Sequence, residues 1–106
     1  MTESKVLGLL GLSAKAGKVC FGRDACIDLI EKRKIKLVIV AMDASDRTKK
    51  DIKFICDNND TKICFYGTIE VLSKAIGKSN KAIIGIKEEN FAKQIEKIIN
   101  GGEVIG

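Results

Sequence analysis

Leu37-Val38-Ile39-Val40-Ala41 is an unbroken run of five apolar residues, set between Lys36 and Met42-Asp43. A strand with one face in water alternates apolar and polar side chains. A run without polar interruption needs apolar cover on both faces, the pattern of a sheet with helices on either side. The run is therefore read as a central strand, and its neighbours in the chain should supply the covering helices.

Upstream, residues 4 to 16 carry Val6, Leu7, Leu10 and Ala14 on one helical face, with Ser4 available as a cap. Lys18 to Phe21 reads as a short strand after Gly17, and Gly22 or Arg23 to Arg33 as a second helix with a stripe of Cys26, Leu29 and Ile30. Downstream, a third helix begins near Ser45 or Asp46 and carries Thr48, Ile52, Ile55 and Cys56 at helical spacing. Lys62 to Tyr66 is a strand, and Thr68 caps a short helix of Ile69, Leu72 and Ile76 that Gly77 stops. Ala82 to Ile86 is the last strand. The closing helix aligns Phe91, Ile95, Ile98 and Ile99, with Glu88 and Glu89 at its positive end. Phe54, Phe65 and Phe91 are assigned to the core. Helices alternating with buried-type strands predict an α/β fold, a three-layer α/β/α sandwich around a mixed sheet of about four strands. With 106 residues, no proline and no repeat, one domain is expected over 1–106.

Apolar residues make up 45% of the chain and charged residues 31%, a globular balance that excludes disorder. The formal net charge is +5, and all of it lies in the first half: residues 1–53 hold 12 basic and 7 acidic groups, residues 54–106 hold 7 of each. Such asymmetry suits a polyanion on one face. Cys20, Cys26, Cys56 and Cys64 form no C-x-x-C pair, and nothing ahead of them reads as a secretory segment, so reduced core thiols in a cytoplasmic protein are expected. Scattered thiolates without a single histidine give no metal site. The longest apolar runs fall far short of the ~20 residues that span a bilayer.

Gly11 to Lys18 is not a phosphate loop: five residues separate Gly11 from Gly17 where four are required, and Val19 stands where a hydroxyl would hold magnesium. Asp43 and Asp46 lie at the carboxyl end of the central strand, where α/β enzymes place acids, but turn shaping by Asp43 and helix capping by Asp46 or Ser45 account for them. With no histidine and no nucleophile beside a recognisable base, acid-base or covalent catalysis has no machinery. No catalytic residue and no cofactor are assigned.

The stretch Gly17-Lys18-Val19-Cys20-Phe21-Gly22-Arg23-Asp24 and the basic run Lys32-Arg33-Lys34-Ile35-Lys36 remain. Lys15, Lys18 and Arg23 are expected around the start of the second helix, whose free N–H groups and dipole form an anion site. Asp24 and Asp28 oppose this charge. Among aromatic residues only Tyr66 and Phe21 are candidates to face a base.

The order G-K-V-x-x-G, helix, Lys36-Leu37-Val38-Ile39-Val40-Ala41-Met42-Asp43-Ala44-Ser45, then Leu72-Ser73-Lys74-Ala75-Ile76-Gly77 resembles the ribosomal protein L7Ae/L30e family, and most the short bacterial L7Ae-like members. The similarity runs from about Ser4 to Ile98. It implies an L30e-like fold and RNA binding, in many members to kink-turns, sharply bent duplexes with tandem G·A pairs. The family's recognition motif G-x-N-E-x-x-K falls on Gly22, Arg23, Asp24, Ala25, Cys26, Ile27 and Asp28, of which only the glycine is kept. Asp24 accepts hydrogen bonds but does not donate them, Ala25 does neither, and Asp28 is negative where the family is positive. The family's second contact, the loop after the L-x-x-A-x-G helix, is Lys78-Ser79-Asn80-Lys81 here.

The expected RNA contacts are therefore Gly22 and Arg23 at the helix end with Asp24, Ala25 and Asp28, phosphate contacts from Lys18, Lys32, Lys78 and Lys81, and sugar or base contacts from Ser79 and Asn80. The expected function is non-enzymatic RNA binding, on ribosomal or other structured RNA and with ribosomal proteins as further partners, with weakened kink-turn specificity. The alternative is a protein-interaction module that has lost RNA binding, which the acids at the helix end would suit.

Overall fold

The central strand is covered on both faces as its composition requires. In the computed structural model, which describes residues 2–101, β2 (Leu37–Val40) is buried along its whole length. Met1 and residues 102–106 of the domain expected over 1–106 lie outside the described residues. Successive side chains of a strand point to opposite faces, so Leu37, Ile39 and Ala41 enter one core and Val38 and Val40 the other.

Around β2 the chain is ordered α1 (Thr2–Lys15), β1 (Val19–Phe21), α2 (Arg23–Glu31), β2, α3 (Asp46–Asn58), β3 (Ile63–Phe65), α4 (Ile69–Ala75), β4 (Ile83–Ile86) and α5 (Glu89–Ile99). The sheet runs β1-β4-β2-β3, antiparallel between β1 and β4 and between β4 and β2, parallel between β2 and β3. The mixed four-stranded sheet is sandwiched as the sequence predicts. α1, α4 and α5 bury Val6, Leu10, Leu72, Ile76 and Ile95 against one face. α2 and α3 bury Cys26, Ile30, Ile52 and Cys56 against the other.

The sequence-read caps are largely present. Ser45 Oγ accepts the Thr48 amide at 3.1 Å to start α3, and Thr68 Oγ1 accepts the Val71 amide at 3.2 Å to start α4. Glu88 caps α5, its Oε1 accepting the Phe91 amide at 2.8 Å. That bond and the Asn90 amide hold its carboxyl below the usual carboxylate range. Ser4 is no cap, because α1 already runs through it.

Two of the three core phenylalanines are corrected. Phe54 is 65% and Phe65 36% exposed. Phe54 lies two residues beyond the buried Ile52, roughly 200° around the helix, which turns it to solvent. Phe65 sits on β3, the edge strand. Only Phe91 packs against the core as expected.

Candidate nucleic-acid interface

Three strands end on one rim of the sheet. β1 ends at Gly22, whose amide donates to Ile83 O at 3.0 Å where β4 begins; Ala41, following β2, donates to Ala82 O at 2.9 Å; and Met42 donates to Gly67 O at 2.8 Å, beyond β3. On this rim α2 begins. Gly22 holds φ +89°, a conformation that glycine adopts freely, and as N-cap it offers no side chain to the first amides of the helix. Those N–H groups face outward at the positive end of the helix dipole.

The loop after α4 is built onto the same rim by Ser73. Its hydroxyl, almost wholly buried, accepts the Lys81 amide at 2.7 Å and donates to the Lys81 carbonyl at 3.2 Å, and its carbonyl accepts the Lys78 amide at 2.8 Å. Asn80 takes a left-handed φ of +56° to close the turn. Lys78 Nζ and Lys81 Nζ consequently lie 5.2 Å and 5.1 Å from the centroid of the Phe21 ring. Both ammonium groups are thus anchored by a cation–π contact immediately before Gly22. Phe21 therefore serves as a seat for cations. Lys78, Ser79 and Asn80 also line a cleft with Asp43, Ile69 and Glu70. Asp43 accepts the Ile69 amide at 2.8 Å and so fastens the start of α4 to the loop after β2, in place of the local turn expected of it.

Lys74 is absent from the expected set, and Lys15, expected around the start of α2, lies instead beside the end of α4. Both line a groove with Gly77 and Lys78, where the last turn of α1 meets the end of α4. No periodicity places Lys15 beside Lys78; only the packing of α1 on α4 does. Ser73 was legible as a polar residue within the apolar register of Ile69, Leu72 and Ile76.

The remaining expected residues divide. Arg23 opens α2 but shares its guanidinium between Asp24, at 3.8 Å, and Asp51 of α3, at 3.6 Å. Asp24, Ala25 and Asp28 are exposed on one side of α2, Asp24 fully so. Asp28 faces outward and binds Lys32 Nζ at 3.1 Å along the i, i+4 ridge. Lys32 is the C-cap, at the opposite end of a nine-residue helix. Lys18 lies at the other end of β1, where its carbonyl accepts the Lys87 amide at 2.8 Å. Gly22, Arg23, Lys78, Ser79, Asn80 and Lys81 come together; Lys18 and Lys32 stand apart from them.

Of the thiols, Cys20 and Cys26 face each other at 3.2 Å between β1 and α2. The Cys26 S–H favours the Cys20 thiolate and lowers that thiol, while the same bond and burial raise Cys26. Among the described residues no group of three or more candidate ligands gathers for a metal, and no helix is long and apolar enough to cross a membrane.

A family model described as the ribosomal protein L7Ae/L30e/S12e/Gadd45 family matches residues 4–96. The chain is 37% identical over 100 residues to an RNA-binding protein YlxQ of Enterococcus faecium, covering 93% of this chain and 95% of that one. It is 29% identical over 92 residues to an RNA-binding protein YlxQ of Bacillus subtilis (strain 168), covering 87% and 92%. Among solved structures, a Bacillus halodurans protein of unknown function superposes with a TM-score of 0.88 at 30% identity, over 91% of this chain and 97% of that chain. A Giardia lamblia 15.5kD RNA binding protein shares the fold, with a TM-score of 0.78 at 19% identity, over 99% and 90%.

Proposed function

The chain belongs to the ribosomal protein L7Ae/L30e/S12e/Gadd45 family, and on that footing we propose that it is a non-enzymatic, cytoplasmic, ribosome-associated RNA-binding protein that grips backbone firmly and reads kink-turn bases weakly. The observation that carries this reading is the placing of Lys78 and Lys81 over Phe21, beside the uncapped amides of α2. Two cations, a helix N-terminus and the polar side chains of Ser79 and Asn80 then face one phosphate backbone. The RNA-binding names of the YlxQ relatives support the same assignment.

The α2 face explains the weak base reading. The amide donor that would engage guanine acceptors is missing at Asp24 and the carboxylate that would accept from guanine N–H groups is missing at Ala25, and each lost bidentate base contact costs about 1–3 kcal/mol of discrimination. Asp28 consumes Lys32 in an ion pair, so this end of the helix adds little net attraction. Lys18 and Lys32 reach only an RNA long enough to pass along β1 and α2. The alternative of a scaffold docked to a basic protein calls for a negative rim, whereas Lys15, Lys74, Lys78 and Lys81 outnumber Asp43 and Glu70 around the loop after α4.

The test is a titration against kink-turn RNA, plain duplex and ribosomal RNA at about 50 mM and about 200 mM salt. Similar affinities with a steep salt dependence are expected. Absence of binding at low salt overturns the RNA reading; a strong preference for the kink-turn overturns the weakened specificity alone.

A further inference from the structure

The exposed Phe54 and Phe65 belong to one groove, lined with them by Lys49, Lys50, Lys53 and Asp57. It lies between α3 and the edge strand β3. That edge is opposite the one carrying Phe21, three strand spacings or roughly 14 Å across the sheet, so the groove is separate from the Phe21 seat of Lys78 and Lys81. α3 is fully anchored without Phe54: Ile52 and Cys56 fill its core face.

Two neighbouring phenylalanines left in water form an apolar surface that folding does not require. The charges around them are unequal. Lys53 is held by Asp57 at 2.9 Å, whereas Lys49 and Lys50 make no ion pair among the described residues. The groove is therefore positive and aromatic together. Protein interfaces are depleted in lysine and draw on arginine, methionine and aromatic residues. Sites for single-stranded nucleic acid combine a cationic track with flat rings on which bases stack, and this composition matches the second kind.

We propose that the α3–β3 groove is a second RNA contact, which binds single-stranded RNA by stacking bases on Phe54 and Phe65 while Lys49 and Lys50 hold its phosphates. A structured RNA on the α2 rim with an unpaired tail would thus be held at both edges of the sheet. Ring stacking tolerates any base, so the groove adds affinity for unpaired RNA without adding sequence preference.

The experiment uses a fluorescein-labelled oligouridine, which forms no duplex, with polarisation as the readout on the full chain. Phe54→Ala and Phe65→Ala should each weaken binding by about tenfold, and Phe54→Leu as much as Phe54→Ala, because leucine restores apolar area but no flat face. Ultraviolet cross-linking of a 4-thiouridine version to the unmodified protein should attach it to peptides containing Phe54 or Phe65. This readout is independent of whether any variant folds. No binding of the oligouridine at low salt, wild-type affinity in Phe54→Leu, or cross-links confined to α2 and residues 77–81 would each overturn the proposal. Failure of duplex or kink-turn RNA to bind would instead remove the α2-rim reading and leave the groove standing.

Discussion

The ammonium group of Lys81 lies 5.1 Å from the centroid of the Phe21 ring, so the loop after α4 and the strand before α2 meet at a single cationic point. Lys78, at 5.2 Å from the same ring, doubles the charge there. Each phosphate contact removed lowers the slope of log affinity against log salt by about 1. The variant Lys78→Ala/Lys81→Ala should therefore weaken binding to duplex and kink-turn RNA alike and flatten that slope by about 2. Salt titrations of both RNAs check this; an unchanged slope places the phosphates elsewhere.

Ser73→Ala tests whether that loop is prefolded. Removing the hydroxyl strands the amide and carbonyl of Lys81, which it now accepts from and donates to. An unsatisfied buried polar group costs about 1–3 kcal/mol, so urea melts should show a loss in that range. RNA affinity should fall as well, although the Ser73 side chain itself is buried. Ser73→Thr, which keeps the hydroxyl, should recover much of both.

Asp24→Asn, Ala25→Glu and Asp28→Lys together restore the family's recognition motif on an α2 face that is already exposed. Two or three base contacts at about 1–3 kcal/mol each should raise kink-turn affinity by at least about thirtyfold while duplex affinity changes far less. The ratio of the two constants is the readout. A proportional rise on both RNAs would mean that charge alone had changed.

What could be read in advance divides along the range of the interaction. The burial of Leu37 to Ala41 on both faces, the caps at Ser45 and Thr68 and the stop at Gly77 are written within a few residues, and the folded chain keeps them. Phe54 was misassigned because hydrophobicity was weighed without its angle to Ile52. Closeness along the chain groups Lys15, Lys18 and Arg23 at the start of α2, but β1 carries Lys18 to its far end, and α2 carries Lys32 away from the rim. Lys15 meets Lys74 and Lys78 only through the packing of α1 on α4, which no local pattern shows.

Gly85 is fixed by crowding. A Cβ at this position would lie 2.7 Å from Cys20 Sγ and 3.0 Å from Ile35 Cδ1, in a strand paired on both sides. Gly85→Ala should cost about 1–3 kcal/mol through overpacking. Cys20→Ala in the same chain removes the closer atom, so the double variant should be more stable than the sum of the single changes. A denaturant double-mutant cycle measures the difference.

Alkaline pH should destabilise the fold from the side of α3 and β3. Burial pushes the Cys56 thiol from 9.0 up to about 11, and burial again, with Glu96 nearby, pushes Cys64 from 9.0 up to about 12. Burial raises Tyr66 as well. Above pH 9 the unfolded chain releases these thiol protons while the folded chain retains them, so folding binds protons and stability falls as pH rises. The contribution is whole below pH 9 and is lost between pH 9 and about 11 to 12. Cys26, raised as well, acts in the same sense and Cys20, lowered by the Cys26 thiol, in the opposite one, so the measurement is a difference. Urea melts of the wild type and of Cys56→Ala/Cys64→Ala at successive pH values should show a shallower decline in the variant across that window. Parallel declines in the two proteins would assign the alkaline loss to other groups.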